Sequence, residues 1–254
     1  VECIKLYCEP NGEFPHNPEP LAENLTEISK LVVEENADLG IVVDPDVDRL
    51  ALVCEDGSMF GEEYTLVTVS DFVLSKTPGN TVSNLSSTRA LRDITNNHKC
   101  NYESSAVGEV NVLEKMKATN AIIGGEGNGG IIYPELHYGR DALVGIALFL
   151  TQLAEKKISI KELRDFYPNY FISKNKIELT SEINIDNILS TLEEKYKNEQ
   201  ITTIDGLKID FEDGWIHLRK SNTEPIIRIY AESEGEEKAN SFAQKMINEI
   251  KELI

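Results

Sequence analysis

The stretch "DPDVDR", residues 44–49, sets three aspartates at alternate positions and follows them at once with an arginine. Carboxylates brought this close repel one another unless a cation sits among them. Alternate spacing on an extended loop can aim Asp44, Asp46 and Asp48 at one ion, and hard cations such as Mg²⁺ prefer carboxylate oxygens. A second stretch, "GGEGNGG" (124–130), has five glycines in seven residues, which lets a backbone approach a ligand closely. It lacks the lysine and hydroxyl residue of a nucleotide P-loop. Its carboxylate and amide, Glu126 and Asn128, suit sugar hydroxyls better than phosphate. The third stretch is "RKSNTEPIIR" (219–228). Arg219 and Arg228 can grip a phosphate bidentately, with Lys220, Ser221, Asn222 and Thr223 completing the shell. "PELHYGRD" (134–141), just beyond the glycines, adds His137 and Arg140 as candidates.

Each loop has competing readings on these residues alone. The acid loop could be an EF-hand, but Arg49 stands where that loop turns on glycine. It could be a haloacid-dehalogenase-type phosphatase with Asp44 as nucleophile, although the downstream partners of that chemistry are not evident. It could also be a solvated turn without metal. The glycine stretch could be a tight turn and the arginine stretch an exposed one. His16, His98 and His217 read as structural, and Trp215 as packing.

These loops need elements to hold them. "LGIVV" is a short buried strand delivering the acid loop, and "RLALVCEDG" is a second strand closing in an Asp56-Gly57 turn. "VECIKLY" at the start also reads as a strand, which leads one to expect sequence ahead of Val1. From Glu62 the pattern alternates: helix 62–76, strand 81–85, helix 88–97, strand 101–105, helix 109–118, strand 120–123, the glycine loop, helix 140–155. Such alternation argues for an α/β layer domain. After about residue 165 come a strand at 170–180, a helix at 185–198, strands near 200–204, 207–211, 215–219 and 226–232, and a helix at 236–252, a small α+β domain. The expected divisions are 1–59, 60–160 and 161–254.

Composition narrows the function. Net charge is −19, so a broad basic face for nucleic acid is excluded and any anionic ligand needs positive charge gathered locally. No apolar run approaches the roughly 20 residues that span a bilayer. Cys3, Cys8, Cys54 and Cys100 form no C-x-x-C pair and read as free thiols of a cytoplasmic protein.

Taken in order, "DPDVDR", "GEGNGG" and "RKSNTEPIIR" resemble the metal, sugar and phosphate loops of the α-D-phosphohexomutase family, over essentially the whole chain. "GGEGNGGIIYPELHYGRDA" looks closest to its phosphoglucosamine mutase branch, with phosphoglucomutase/phosphomannomutase as the alternative and a non-catalytic sugar-phosphate binder as the alternative of another class. The resemblance implies mixed α/β domains followed by a small TBP-like α+β domain, this chain holding the end of domain 2 and all of domains 3 and 4. It implies Mg²⁺ on Asp44, Asp46 and Asp48, and Arg49 on the transferring phosphoryl group. Glu126 and Asn128, with His137 and Arg140, would meet the sugar. Arg219, Ser221, Asn222, Thr223 and Arg228 would hold the non-reacting phosphate of a glucosamine, glucose or mannose phosphate. The family's phosphoserine loop, of T-x-S-H-N-P type, is not matched by "FPHNPEP", so missing N-terminal domains would have to supply it and the chain alone would be inactive. Gly130 stands where the family's sugar motif ends in histidine, and Ser86 where some relatives carry lysine.

Overall fold

The computed structural model describes residues 1–178, 184–221 and 224–253. The expected strand at 1–7 does not form: residues 1–10 run without regular structure and are almost entirely exposed. A strand exists only where a neighbour takes its backbone groups, and none among the described residues pairs with this segment. Helix α1 (Thr26–Glu34) packs on a hairpin of β1 (Leu39–Val43) and β2 (Leu50–Cys54), in antiparallel register from Leu39↔Cys54 to Val43↔Leu50. The acid loop is the turn of this hairpin.

β2 is buried along its whole length and joins the core of the next unit, which explains its unbroken apolar run. That unit contains α2 (Glu62–Lys76), β3 (Asn80–Asn84), α3 (Ala90–Asn97), β4 (Tyr102–Ser105), α4 (Glu109–Thr119), β5 (Ala121–Glu126), β6 (Gly130–Ile132), α5 (Ala142–Lys156) and α6 (Ile160–Arg164). The sheet order is β4-β3-β5-β6, parallel except for the β5–β6 hairpin. Phe60 and Phe149 meet edge to face at 5.3 Å in its core. The glycine stretch is therefore not a plain loop after a strand. Its first three residues finish β5, Gly130 begins β6, and Asn128-Gly129, a strong hairpin signal, makes the turn. Helix α6 was also not expected. Ser159 and Glu162 form a reciprocal capping box at its start, a pattern present in "SIKE".

The C-terminal unit is a five-stranded antiparallel sheet, ordered β7 (Tyr170–Glu178), β11 (Ile226–Glu234), β10 (Gly214–Lys220), β9 (Leu207–Phe211), β8 (Gln200–Thr202). Helices α7 (Ile185–Lys195) and α8 (Glu236–Leu253) contribute the rest of its core. Ala239, Ala243, Met246 and Ile250 recur at helical spacing and form the buried stripe of α8. The architecture is thus mixed α/β followed by α+β. All four cysteines are free, and no helix among the described residues is long and apolar enough to cross a membrane.

Candidate active site

The parallel strands β3 and β5 end where the glycine hairpin and the turn after β3 meet, the edge at which an open α/β sheet offers backbone and side chains to a ligand. The acid loop is seated there by main-chain bonds. Leu50 N–H donates to Gly129 C=O at 3.1 Å, and Ala142 N–H donates to Val47 C=O at 3.0 Å. Gly129 has φ +86°, and a Cβ on it would fall 2.3 Å from the carbonyl oxygen of Leu50, so no other residue fits the approach.

Asp44, Asp46 and Asp48 each offer a carboxylate oxygen within 4.8 Å of the others. Asp44 accepts from the backbone N–H of Asp48 at 3.0 Å and of Arg49 at 2.9 Å, and from Arg49 Nε at 2.6 Å. Burial works against its charge, but these Arg49 and Asp48 bonds hold its carboxyl down to about 2. Asp48 is pushed up, by burial first and by its acid neighbours, against the pull of Arg140. Asp48 Oδ1 is buried and has no hydrogen-bond donor among the described residues. Arg49 Nε stands 3.7 Å from it, beyond hydrogen-bond reach, and a carboxylate oxygen without a donor in a cluster of three carboxylates fits a hard cation.

Arg140 joins the acid loop to the glycine hairpin. One Nη donates to Asp48, and Nη1 donates to Glu126 Oε2 at 3.0 Å. Glu126 is 7% exposed, and its Oε1 also accepts from Asn84 at 2.8 Å and from the Gly108 N–H at 3.2 Å. Asn128 Oδ1 accepts from the Gly130 N–H at 3.2 Å. His137 lies beside the hairpin with Nε2 at 2.9 Å from Asp141, the N-cap of α5.

The arginines lie on the C-terminal sheet. Arg219 and Arg228 are direct cross-strand partners of β10 and β11. Arg219 faces Asp205 at 3.6 Å, and Arg228 donates to Glu224 at 3.2 Å. Ser221 N–H donates to Ile226 C=O at 3.0 Å, and its hydroxyl accepts from Glu224 N–H at 3.3 Å. Asn222 and Thr223 lie outside the described residues.

The two sheets meet through partly buried polar contacts. Asp205 also accepts the Val107 N–H at 3.0 Å, next to the Gly108 that donates to Glu126. Arg219, Asp205, Val107, Gly108, Glu126, Arg140 and Asp48 thus form one run of contacts from the arginine pair to the acid loop. Alongside it, His217 Nε2 lies 2.7 Å from the carbonyl of Asp205, and Nδ1 lies 2.9 Å from the Ser86 hydroxyl. A carbonyl only accepts, so Nε2 carries the proton and Ser86 donates to Nδ1. Burial depresses the imidazole to about 4, and the ring is neutral at pH 7.

Residues that the motif reading missed stand behind the hairpin. Ser87 accepts from the Gly127 N–H at 3.0 Å and donates to Asn84 at 3.1 Å. The Glu63 carboxylate accepts from the Thr88 N–H at 2.8 Å and fills the place a Cβ on Gly127 would take, 1.9 Å away. Burial pushes Glu63 up to about 8. Only "SST" after β3 hinted at any of this, as hydroxyls clustered at a strand end.

With this geometry in place, the comparisons are unambiguous about ancestry. Three models of one family match along the chain: phosphoglucomutase/phosphomannomutase domain II over 1–57, alpha/beta/alpha domain III over 61–170, and the C-terminal domain over 175–249. The chain belongs to the phosphoglucomutase/phosphomannomutase family. A phosphoglucomutase/phosphomannomutase of Thermococcus kodakarensis is 34% identical over 254 residues, 99% of this chain and 56% of that protein. A probable phosphoglucosamine mutase of Methanopyrus kandleri is 31% identical over 257 residues, 100% of this chain and 57% of its own length. Among solved structures, a family protein of Burkholderia thailandensis has a TM-score of 0.80 at 24% identity, covering 93% of this chain and 51% of that one. The Aspergillus fumigatus N-acetylphosphoglucosamine mutase, in complex with GlcNAc-6P and magnesium, has a TM-score of 0.60 at 15% identity, covering 83% and 51%. At these identities the structures show the fold. The chain spans just over half the length of the relatives it matches.

Proposed function

We propose that this chain supplies the metal, sugar and phosphate loops of a phosphohexomutase, which interconverts hexose 6-phosphates and 1-phosphates through a phosphoserine. The observation that carries the reading is the run of contacts from Arg219 to Asp48, which ties the three loops to one another. Asp44, Asp46 and Asp48 hold Mg²⁺ in this proposal, a fit supported by the orphaned Asp48 oxygen. When bound, the ion draws charge from phosphoryl oxygens as a Lewis acid. Arg49, oriented by Asp44, faces the transferring phosphoryl group. Glu126, anchored from three sides, keeps lone pairs for a sugar hydroxyl, and Asn128 keeps its amide N–H groups. His137 and Arg140 close that side. Arg219 and Arg228, with Ser221, Asn222 and Thr223, take the phosphate that is not reacting.

Glucosamine phosphate is the substrate this proposal assigns, and the name of the Methanopyrus relative supports it. The phosphoserine belongs to sequence outside these 254 residues, and the location is the cytoplasm. The test is a mutase assay on the chain joined to its upstream sequence, with Mg²⁺ and catalytic sugar bisphosphate, comparing glucosamine, glucose and mannose phosphates by kcat/KM. A strong preference for glucosamine phosphate is expected. Comparable turnover of glucose and mannose phosphates moves the assignment to phosphoglucomutase/phosphomannomutase. Binding without turnover of any makes the protein a non-catalytic sugar-phosphate binder. Phosphate-ester hydrolysis by the 254 residues alone, abolished by Asp44→Asn, points instead to a phosphatase.

A further inference from the structure

A cavity of about 220 Å³ lies between the α/β unit and the C-terminal sheet. It contains no residue of the acid loop, the glycine hairpin or the arginine pair. One wall is the turn after β3, the start of α3 and edge strand β4. The other is edge strand β8 and its neighbour β9. Its cations are Arg89, Arg92 and Lys208, and Ser104 and Thr202 add hydroxyls, the Ser87 hydroxyl being engaged by Asn84 and Gly127.

The charges here are unequally matched. Arg92 pairs with Asp210 at 3.1 Å, and Glu103, the other acid in the wall, faces Lys115 at 3.9 Å. Arg89 donates one Nη1–H to the Glu212 carbonyl at 3.3 Å, while its Nε is buried and has no acceptor among the described residues. Lys208 is 6% exposed, donates to the Leu85 carbonyl at 2.8 Å and sits 4.3 Å from the Trp215 ring centre. Behind the wall the buried Glu232 accepts through Oε1 from Trp215 Nε1 at 2.7 Å and from the Arg89 backbone N–H at 3.0 Å, while its Oε2 has no hydrogen-bond partner among the described residues. Asp210 and Glu232 offset part of the Lys208 charge, whereas Arg89 has only a carbonyl and the Tyr170 ring against its guanidinium, which solvate a cation without neutralising it.

We infer that this cavity binds a small oxyanion of the phosphate class, held by Arg89, Arg92 and Lys208, at a second site separate from the loop at 219–228. A tetrahedral oxyanion offers acceptors to guanidinium, ammonium and hydroxyl donors at once, which the two oxygens of a carboxylate do not. The volume falls below the roughly 300–1,000 Å³ of pockets that enclose drug-sized ligands, so the ligand is inorganic phosphate or a small phosphate ester. The walls belong to different units, so occupancy ties the C-terminal sheet to the α/β unit and stabilises their junction by mass action. None of this depends on the mutase proposal.

Trp215 is the single tryptophan, and its ring lies 4.3 Å from the ammonium of Lys208 in the cavity wall. The 254-residue chain is titrated with inorganic phosphate against chloride at matched ionic strength, following Trp215 emission. A saturable change is expected, weakened about tenfold or more by Lys208→Gln and by Arg92→Gln, and within about twofold of the parent in Arg219→Gln. Arg92 is partly exposed, so its variant serves where burial of Lys208 compromises folding. No saturable change in the parent chain overturns the inference. So does a change that vanishes in Arg219→Gln and survives Arg92→Gln, which would place the phosphate in the loop at 219–228.

Discussion

The acid loop and the arginine pair gather opposite charges in opposite ways. Around the acid loop every carboxylate but Asp46 has an arginine in place: Asp44 has Arg49, while Asp48 and Glu126 share Arg140. The site is assembled in advance, yet four carboxylates against two arginines leave it a negative balance that suits a cation. Arg219 and Arg228 stand directly opposite each other across two strands, a placement that costs stability, and their counter-charges are a 3.6 Å contact and a partly exposed glutamate. One side is built for rigidity and the other for attraction. A ligand that must be positioned at one end and accepted at the other needs both.

The largest test of that contrast removes the shared arginine. Arg140→Met leaves Asp48 and Glu126 without their cation, and stability should fall by roughly 3 kcal/mol, as when one partner of a buried pair is lost. Urea unfolding measures it, and a loss below about 0.5 kcal/mol would show that the acid side is not preassembled. Between the two regions stands His217. Its folded-state pKa of about 4 lies below the ordinary His value, so the unfolded chain binds the extra proton first. The contribution is complete above about pH 6.5 and is lost as pH falls through 4, amounting to up to about 3 kcal/mol. His217→Gln should flatten the stability–pH profile in that window, and an unchanged slope would remove the imidazole from the junction.

Gly127→Ala drives a Cβ into the Glu63 carboxylate and should cost about 1–3 kcal/mol. Trimming Glu63 to alanine in the same chain should recover part of that, a non-additive cycle readable by thermal melts. The smallest stability effect belongs to Arg228→Gln. Removing one of two opposed arginines should leave stability unchanged or raise it by about 0.5 kcal/mol, while sugar-phosphate affinity falls about tenfold. A variant that loses stability and keeps affinity would reverse the contrast.

Much of this was legible in residue order. The alternation from Glu62 to Lys156 places every element of that stretch except β6 within a few residues, because its strands and helices are made by local pattern. "VECIKLY" misleads because a strand needs a partner that its own residues cannot reveal. The hairpin inside "GGEGNGG" and the capping box in "SIKE" carry known local signals, Asn128-Gly129 and Ser159 with Glu162. Glu63, Asn84 and Ser87 were not legible. Their roles depend on contacts up to 64 positions apart in the chain, such as Glu63 against Gly127, which only folding creates.

The bond from Leu50 N–H to Gly129 C=O joins the acid loop to the glycine hairpin through main-chain atoms alone. Substitution can rewrite nearly every side chain around it and leave the joint in place, since any residue but proline keeps the N–H and every residue keeps the carbonyl. The hairpin tip can therefore change its side chains without unseating the acid loop. What it cannot change without loss is the one position with no side chain at all.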